Sequence, residues 1–137
     1  MAYWIVKTEP GDWSWDMQLK AGKTYWDGVR NYQAAGNLRA MKVGDQCMFY
    51  HSVSEKRIVG MMEVIDTAIP DPKDPTGRFV MVEMKTLKSV PHPITLEKIK
   101  SDPALNHLAL VRQSRLSVIP VDPAAWQHLL KLGGVEG

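Results

Sequence analysis

Apolar and polar positions alternate along this chain in short runs, and most of the runs have the period of two that a strand requires. Tyr3-Trp4-Ile5-Val6-Lys7 is aromatic and β-branched and stops at Pro10-Gly11, which predicts a short first strand. Residues 46–52 and 57–66 predict two further strands, joined by a polar turn at 53–56 and therefore antiparallel. In the second of them Ile58, Met62 and Val64 fall on one face and Val59, Met61 and Ile65 on the other. A strand apolar on both sides suits a barrel wall backed by helices. Residues 78–87 form another strand, and 116–121 the last.

Helical spacing appears between these runs. Asp12 is a cap for a brief helix ending at Gly22, with Trp13 and Trp15 on different sides: one packs on the core, the other lines a surface cleft. Ala34, Ala35, Leu38 and Met41 recur at helical intervals over 31–42, with Asn31 at the N-cap position and Gly36 as a weak point. Thr95 caps a helix over 96–100, and Asp122 followed by Pro123 starts a last one that buries Trp126, Leu129 and Leu130 and stops at Gly133-Gly134. Pro70 to Gly77 reads as a stiff connecting loop, and Pro91-His92-Pro93 as a chain break. Long βαβ periods are absent. The expected fold is α+β: a small, mostly antiparallel β-barrel decorated with short helices, one domain over 1–137.

Composition narrows the class. The 137 residues are 45% hydrophobic and 23% charged, as in an ordinary globular protein. No apolar run approaches the roughly 20 residues of a membrane span, and the first residues lack the pattern of a signal peptide. With one cysteine, Cys47, there is no internal disulfide framework, and a reducing, cytoplasmic setting is expected. A net charge of +2 neither identifies nor excludes a nucleic-acid binder, because placement matters more than the sum. Phosphate-cradling glycine motifs are missing, and so is zinc-ligand spacing: Cys47 and His51 stand four apart without two further ligands nearby. Cys47 lies in an apolar strand, where a thiol is ordinarily inert packing.

Three clusters carry candidate chemistry. The first is Trp26-Asp27-Gly28-Val29-Arg30-Asn31. It suits a pocket rim in which Trp26 stacks and the Asn31 amide pairs two-point with a base edge, Gly28 and Val29 letting a ligand approach. It equally suits a Trp packed under a helix that Asn31 caps, with Arg30 paired to Asp27. Tyr50-His51-Ser52 closes a strand, where a barrel mouth would hold polar groups toward a ligand, or where Ser52 caps a turn. Arg112-Gln113-Ser114-Arg115, on extended chain, sets two guanidiniums and an amide for phosphates or bases, or else forms a solvated edge. Lys7-Thr8-Glu9 has the same two readings.

With these clusters the sequence resembles the EVE domain family. The resemblance runs from Tyr3-Trp4-Ile5-Val6-Lys7-Thr8-Glu9-Pro10 through Trp26-Asp27-Gly28-Val29-Arg30-Asn31-Tyr32-Gln33-Ala34 and Asn37-Leu38-Arg39. It continues through Gly44-Asp45, Phe49-Tyr50-His51-Ser52, Pro70-Asp71 and Arg112-Gln113-Ser114-Arg115-Leu116-Ser117-Val118. Thr8 stands where the family more often has Ser, and keeps the hydroxyl. The resemblance implies a PUA-like fold and the binding of nucleic acid with a modified base, a modified cytosine in DNA ahead of RNA. On that footing Trp26 stacks, Tyr50 or Trp15 is a second wall, and Asn31 and Ser52 read the base edge. Lys7, Arg30, Arg112 and Arg115, with Gln113, hold phosphates or close the pocket, and His51 reads the base or locks the turn. No cofactor, metal or membrane is implied. The alternatives are an enzyme acting on a nucleotide, with Glu9, Asp27 or His51 as acid or base, and a module for a peptide or small ligand.

Overall fold

The computed structural model describes residues 1–135. In chain order the elements are β1 (Tyr3–Thr8), α1 (Trp15–Ala21), β2 (Lys23–Trp26), α2 (Tyr32–Ala40), β3 (Gln46–His51) and β4 (Arg57–Pro70). They continue with β5 (Val80–Thr95), α3 (Leu96–Ser101), α4 (Ala109–Arg112), β6 (Val118–Val121) and α5 (Pro123–Gly133). The strands make one mixed sheet in the order β2-β5-β4-β3-β1-β6. Only β1 and β3 run parallel, from Tyr3 opposite Gln46 to Thr8 opposite His51. No ladder joins β2 to β6, so the sheet is open and the expected closed barrel is not formed. Helix α2 packs against β6 and β5: the Asn37 amide donates to the Val118 carbonyl of β6 at 2.8 Å, and the Arg39 guanidinium donates to the Arg78 carbonyl just before β5. Among the described residues no helix is long and apolar enough to cross a membrane.

Most caps stand where the residue types put them. The side chains of Asn31, Thr95 and Asp122 accept the N–H of Ala34, Lys98 and Ala125, relieving a helix donor at each site. Four expectations are corrected. Helix α1 is capped by Ser14, not Asp12, and is shorter at its start. Strand β2 was not expected; its four residues between Gly22 and the Asp27-Gly28 turn are too few to show a period. Strand β5 runs on through Pro91-His92-Pro93, because pairing jumps from Gly60–Ser89 to Ile58–Ile94 and leaves both prolines in a bulge where no ladder N–H is needed. Residues 112–115 are not extended: Arg112 closes the single turn of α4, and the chain bends before β6.

Two sets of contacts fix the interior. At one end of the sheet the buried Asp45 accepts from the N–H of Ala2, the N–H of Lys42 and the indole N–H of Trp4, at 3.0, 2.9 and 3.0 Å. Burial pushes this carboxyl up, but those donors and the N-terminal charge outweigh it and hold it below its ordinary value. Toward the other end Phe49 meets Trp15, Trp26 and His51 edge-on, with centroids 5.1, 5.7 and 5.6 Å away. Trp15 lies flat over Gly60 of β4, and a Cβ at Gly60 would stand 2.2 Å from the ring. The missing side chain at Gly60 is therefore what admits Trp15 to the core.

Gly60→Ala is expected to lower stability by about 1–3 kcal/mol through this overpacking. Urea unfolding of the variant checks it, and combining it with Trp15→Leu should give a total smaller than the sum of the single effects, because the clash is shared.

Candidate functional site

The open seam between the sheet's two ends holds a cavity of about 590 Å³. From the β1 and β6 end come Lys7, Thr8 and Ser117; from β2 come Thr24, Tyr25 and Trp26. Asp12 and Trp13 enter from the turn before α1, Asp27 to Arg30 from the loop after β2, and Lys73 from the proline-rich loop. Residues from β1 and β2, four places apart in the sheet, line one space because the sheet curls without closing.

Asp71 shapes the loop wall. Its side chain is fully buried, and Oδ2 accepts the Gly28 N–H at 2.9 Å and the Arg30 guanidinium at 3.0 Å. Oδ1 accepts the Lys73 N–H at 2.9 Å. Burial pushes this carboxyl up, but the two backbone donors and Arg30 outweigh it and hold it below the ordinary carboxylate value. Gly28 turns with φ +72°, where a side chain would be strained. Arg30 thus pairs with Asp71 and not with Asp27, whose partner is Lys73 at 3.3 Å. The two loops that flank the cavity are locked to each other by these two ion pairs.

The opposite wall is set by Lys7. Its ammonium donates to the Ser114 carbonyl at 2.8 Å and lies 5.8 Å from the Tyr50 ring centroid. Burial lowers its pKa. Among the described residues it forms no ion pair, so its charge is available to an anionic or carbonyl-bearing ligand. The aromatic surfaces are Trp26, seated on Phe49, Trp13, whose indole N–H is taken by the Gln18 carbonyl oxygen at 2.8 Å, and the half-exposed Tyr25. Around them stand the Thr8, Thr24 and Ser117 hydroxyls and the Asp12 and Asp27 carboxylates. Flat π faces, hydroxyls and charges of both signs around one space suit a planar, polar, uncharged group better than an aliphatic one.

Of the residues singled out by sequence, Lys7, Thr8, Trp13, Trp26, Asp27, Gly28, Val29 and Arg30 line this cavity; the rest lie outside its lining. Trp15 is in the core on Gly60, its indole N–H donating to the Ser89 hydroxyl at 2.8 Å. Asn31 caps α2. Tyr50 is buried beneath Lys7, and that burial pushes its phenol up to about 12. His51 locks the turn: Nε2 accepts the Trp15 N–H at 3.0 Å, so Nδ1–H donates to Glu55 at 2.9 Å and neither nitrogen remains for a ligand. Ser52 donates its N–H to the Thr8 carbonyl and stays outside the lining. Arg112, Gln113 and Arg115 are exposed around Ser114, next to the cavity through Lys7 but not in it. Burial and then the Asp45 charge push the Cys47 thiol up, which makes it a poor nucleophile.

Residue types alone do not place Asp12, Thr24, Tyr25, Lys73 or Ser117 in the site, nor Asp71 behind it. Trp13 was legible as one of two candidates for a cleft. Tyr25 stands next to the Trp26-to-Asn31 cluster, but its direction depends on the unexpected β2. Asp71, between two prolines, was visible only as a loop residue and as part of the Pro70-Asp71 motif of the resemblance, since Gly28 and Arg30 are more than 40 positions away.

The EVE domain family model matches residues 2–132. The chain belongs to the EVE domain family. Thymocyte nuclear protein 1 of Rattus norvegicus is 30% identical over 168 residues, covering 98% of this chain and 74% of the relative. A solved protein of Rhodopseudomonas palustris is 46% identical with TM-score 0.92, covering 98% of this chain and 94% of the other. The human THYN1 protein, solved in complex with DNA containing 5-methylcytosine, is 30% identical with TM-score 0.90 and full coverage of both chains.

A depressed folded pKa means that Asp71 contributes stability above its ordinary value of 3.8 and loses it as pH falls through the lower folded value. Asp71→Asn is expected to cost about 2 kcal/mol or more at neutral pH. In denaturant titrations, the gap between wild type and variant should narrow as pH falls below about 3.8; a gap independent of pH would contradict the role of the charge.

Proposed function

We propose that the protein is a reader of nucleic acid carrying a modified base, and that the seam cavity takes the base, a modified cytosine in DNA. The observation that carries the reading is the aromatic and polar cavity of about 590 Å³ in a chain that matches the human THYN1 protein, solved with 5-methylcytosine DNA, over its whole length. That volume lies in the range of small-ligand sites.

The chemistry follows from the lining. A base must leave its stack to enter, which costs a few kcal/mol. Stacking on Trp26 or Trp13 returns about 1–3 kcal/mol. Cytosine offers an exocyclic amino donor beside ring acceptors. The Asp12 and Asp27 carboxylates are acceptors for the first, and the hydroxyls and Lys7 ammonium are donors for the second. A single methyl group is worth about 0.8 kcal/mol on burial, so discrimination through contact alone is about fourfold. Most of the affinity must then come from phosphates, and it weakens with salt.

Binding to oligonucleotides that differ only in one cytosine, plain or 5-methylated, tests this. The methylated form is expected to bind about fourfold tighter. Trp26→Phe, which keeps the core filled, should reduce affinity for both, and Asp12→Asn should reduce it without loss of stability. Equal affinities in the wild type, unchanged by both substitutions, would refute the reading.

A further inference from the structure

Arg30 belongs to the cavity wall, but its guanidinium also lies over the ring of Phe79, 4.9 Å from the centroid and outside the cavity lining. Phe79 in turn stacks with Tyr32, centroids 5.9 Å apart and planes at 23°. Tyr32 is 72% exposed, so most of a ring already oriented by stacking is turned to solvent. Two more arginines are tied to the Phe79 segment. Arg39 sits about two turns along α2 and holds the Arg78 carbonyl; Arg78 directly precedes Phe79. Both are exposed, and among the described residues neither pairs with a carboxylate. The acid of this loop, Asp74, is turned inward: the Thr76 hydroxyl, burial in the opposite direction, and the N–H groups of Thr76, Phe79 and Arg78 leave its pKa near 2. It offsets one of the two free guanidiniums, and the face stays positive.

We infer that this face is a second nucleic-acid contact, where Tyr32 stacks on an unpaired base beside the one in the cavity and Arg78 and Arg39 take the neighbouring phosphates. The inference rests on the reading of the cavity given above. An exposed ring with guanidiniums on the adjoining segment matches the alternation of base and phosphate along a strand, whereas an apolar protein partner would leave those charges buried without partners. The base must be unpaired, since only then is a π face free to meet Tyr32. It must be close to the cavity because Arg30 is shared by both.

The test uses a short single-stranded oligonucleotide with one 5-methylcytosine and its unmethylated twin. Tyr32→Ala is expected to weaken binding of both by roughly tenfold or more, and Tyr32→Phe to restore it. Arg78→Gln, which leaves the main-chain bond to Arg39 in place, is expected to reduce the slope of log affinity against log salt by roughly 0.7. The preference for the methylated strand reads the cavity alone and should not change in either variant. Wild-type affinity in Tyr32→Ala, or a salt slope that moves only when Arg112 and Arg115 are replaced, would overturn the inference. No preference in the wild type, together with a loss in Tyr32→Ala, would count against the cavity and for the face.

Discussion

Strands β2 and β6 end the sheet, and neither has a strand on its outer side among the described residues. The curl brings residues of these two ends to one cavity, and helix α2 packs on β6 without a ladder forming between the ends. Asn37 takes up the Val118 carbonyl at 2.8 Å, which satisfies one acceptor of an edge that would otherwise be open to pairing with another chain. Had the ends paired, their backbones would approach to about 5 Å and the space now lined by Lys7, Trp26 and Ser117 would be filled. The cavity exists because the two ends curl toward one space and stay unpaired.

Buried polar groups then give that space a definite shape. Asp71 ties Gly28, Arg30 and Lys73 together, so two loops move as one. His51 uses both ring nitrogens to connect the start of α1 with Glu55. Each connection costs desolvation and is stable because the donors and acceptors are matched. A pocket meant to discriminate by a single methyl group needs such rigidity, since a wall that yields by a fraction of an ångström removes the contact on which the difference depends.

Much of the fold was legible where a local rule decided it. The caps at Asn31, Thr95 and Asp122 and the antiparallel pair of β3 and β4 follow from residues close together in sequence. Failures came where a distant residue decided. Trp13 and Trp15 are equivalent by type; Gly60, 45 positions later, selects Trp15 for the core and leaves Trp13 for the cavity. By type Asn31 suits a cap and a base reader alike; it caps α2 and stands outside the cavity lining. The two prolines of β5 broke a local rule that a bulge in the partner register suspends. For Arg30 the choice between Asp27 and Asp71 was settled by the path of a loop that no local pattern describes.

Strand β1 lies between β3 and β6, pairing Tyr3 with Gln46 on one side and with Val121 on the other. On a ribosome β1 emerges before β6, and its second edge waits for the last of the described strands. Trp4, Ile5 and Val6 stand on that edge, so the nascent chain carries an apolar strand with one side open until β6 follows. Pairing across so much sequence is intrinsically slow. Lys7, Thr8 and Ser117 come together in the same closing step, and a chain released too early would lack a wall of its own cavity.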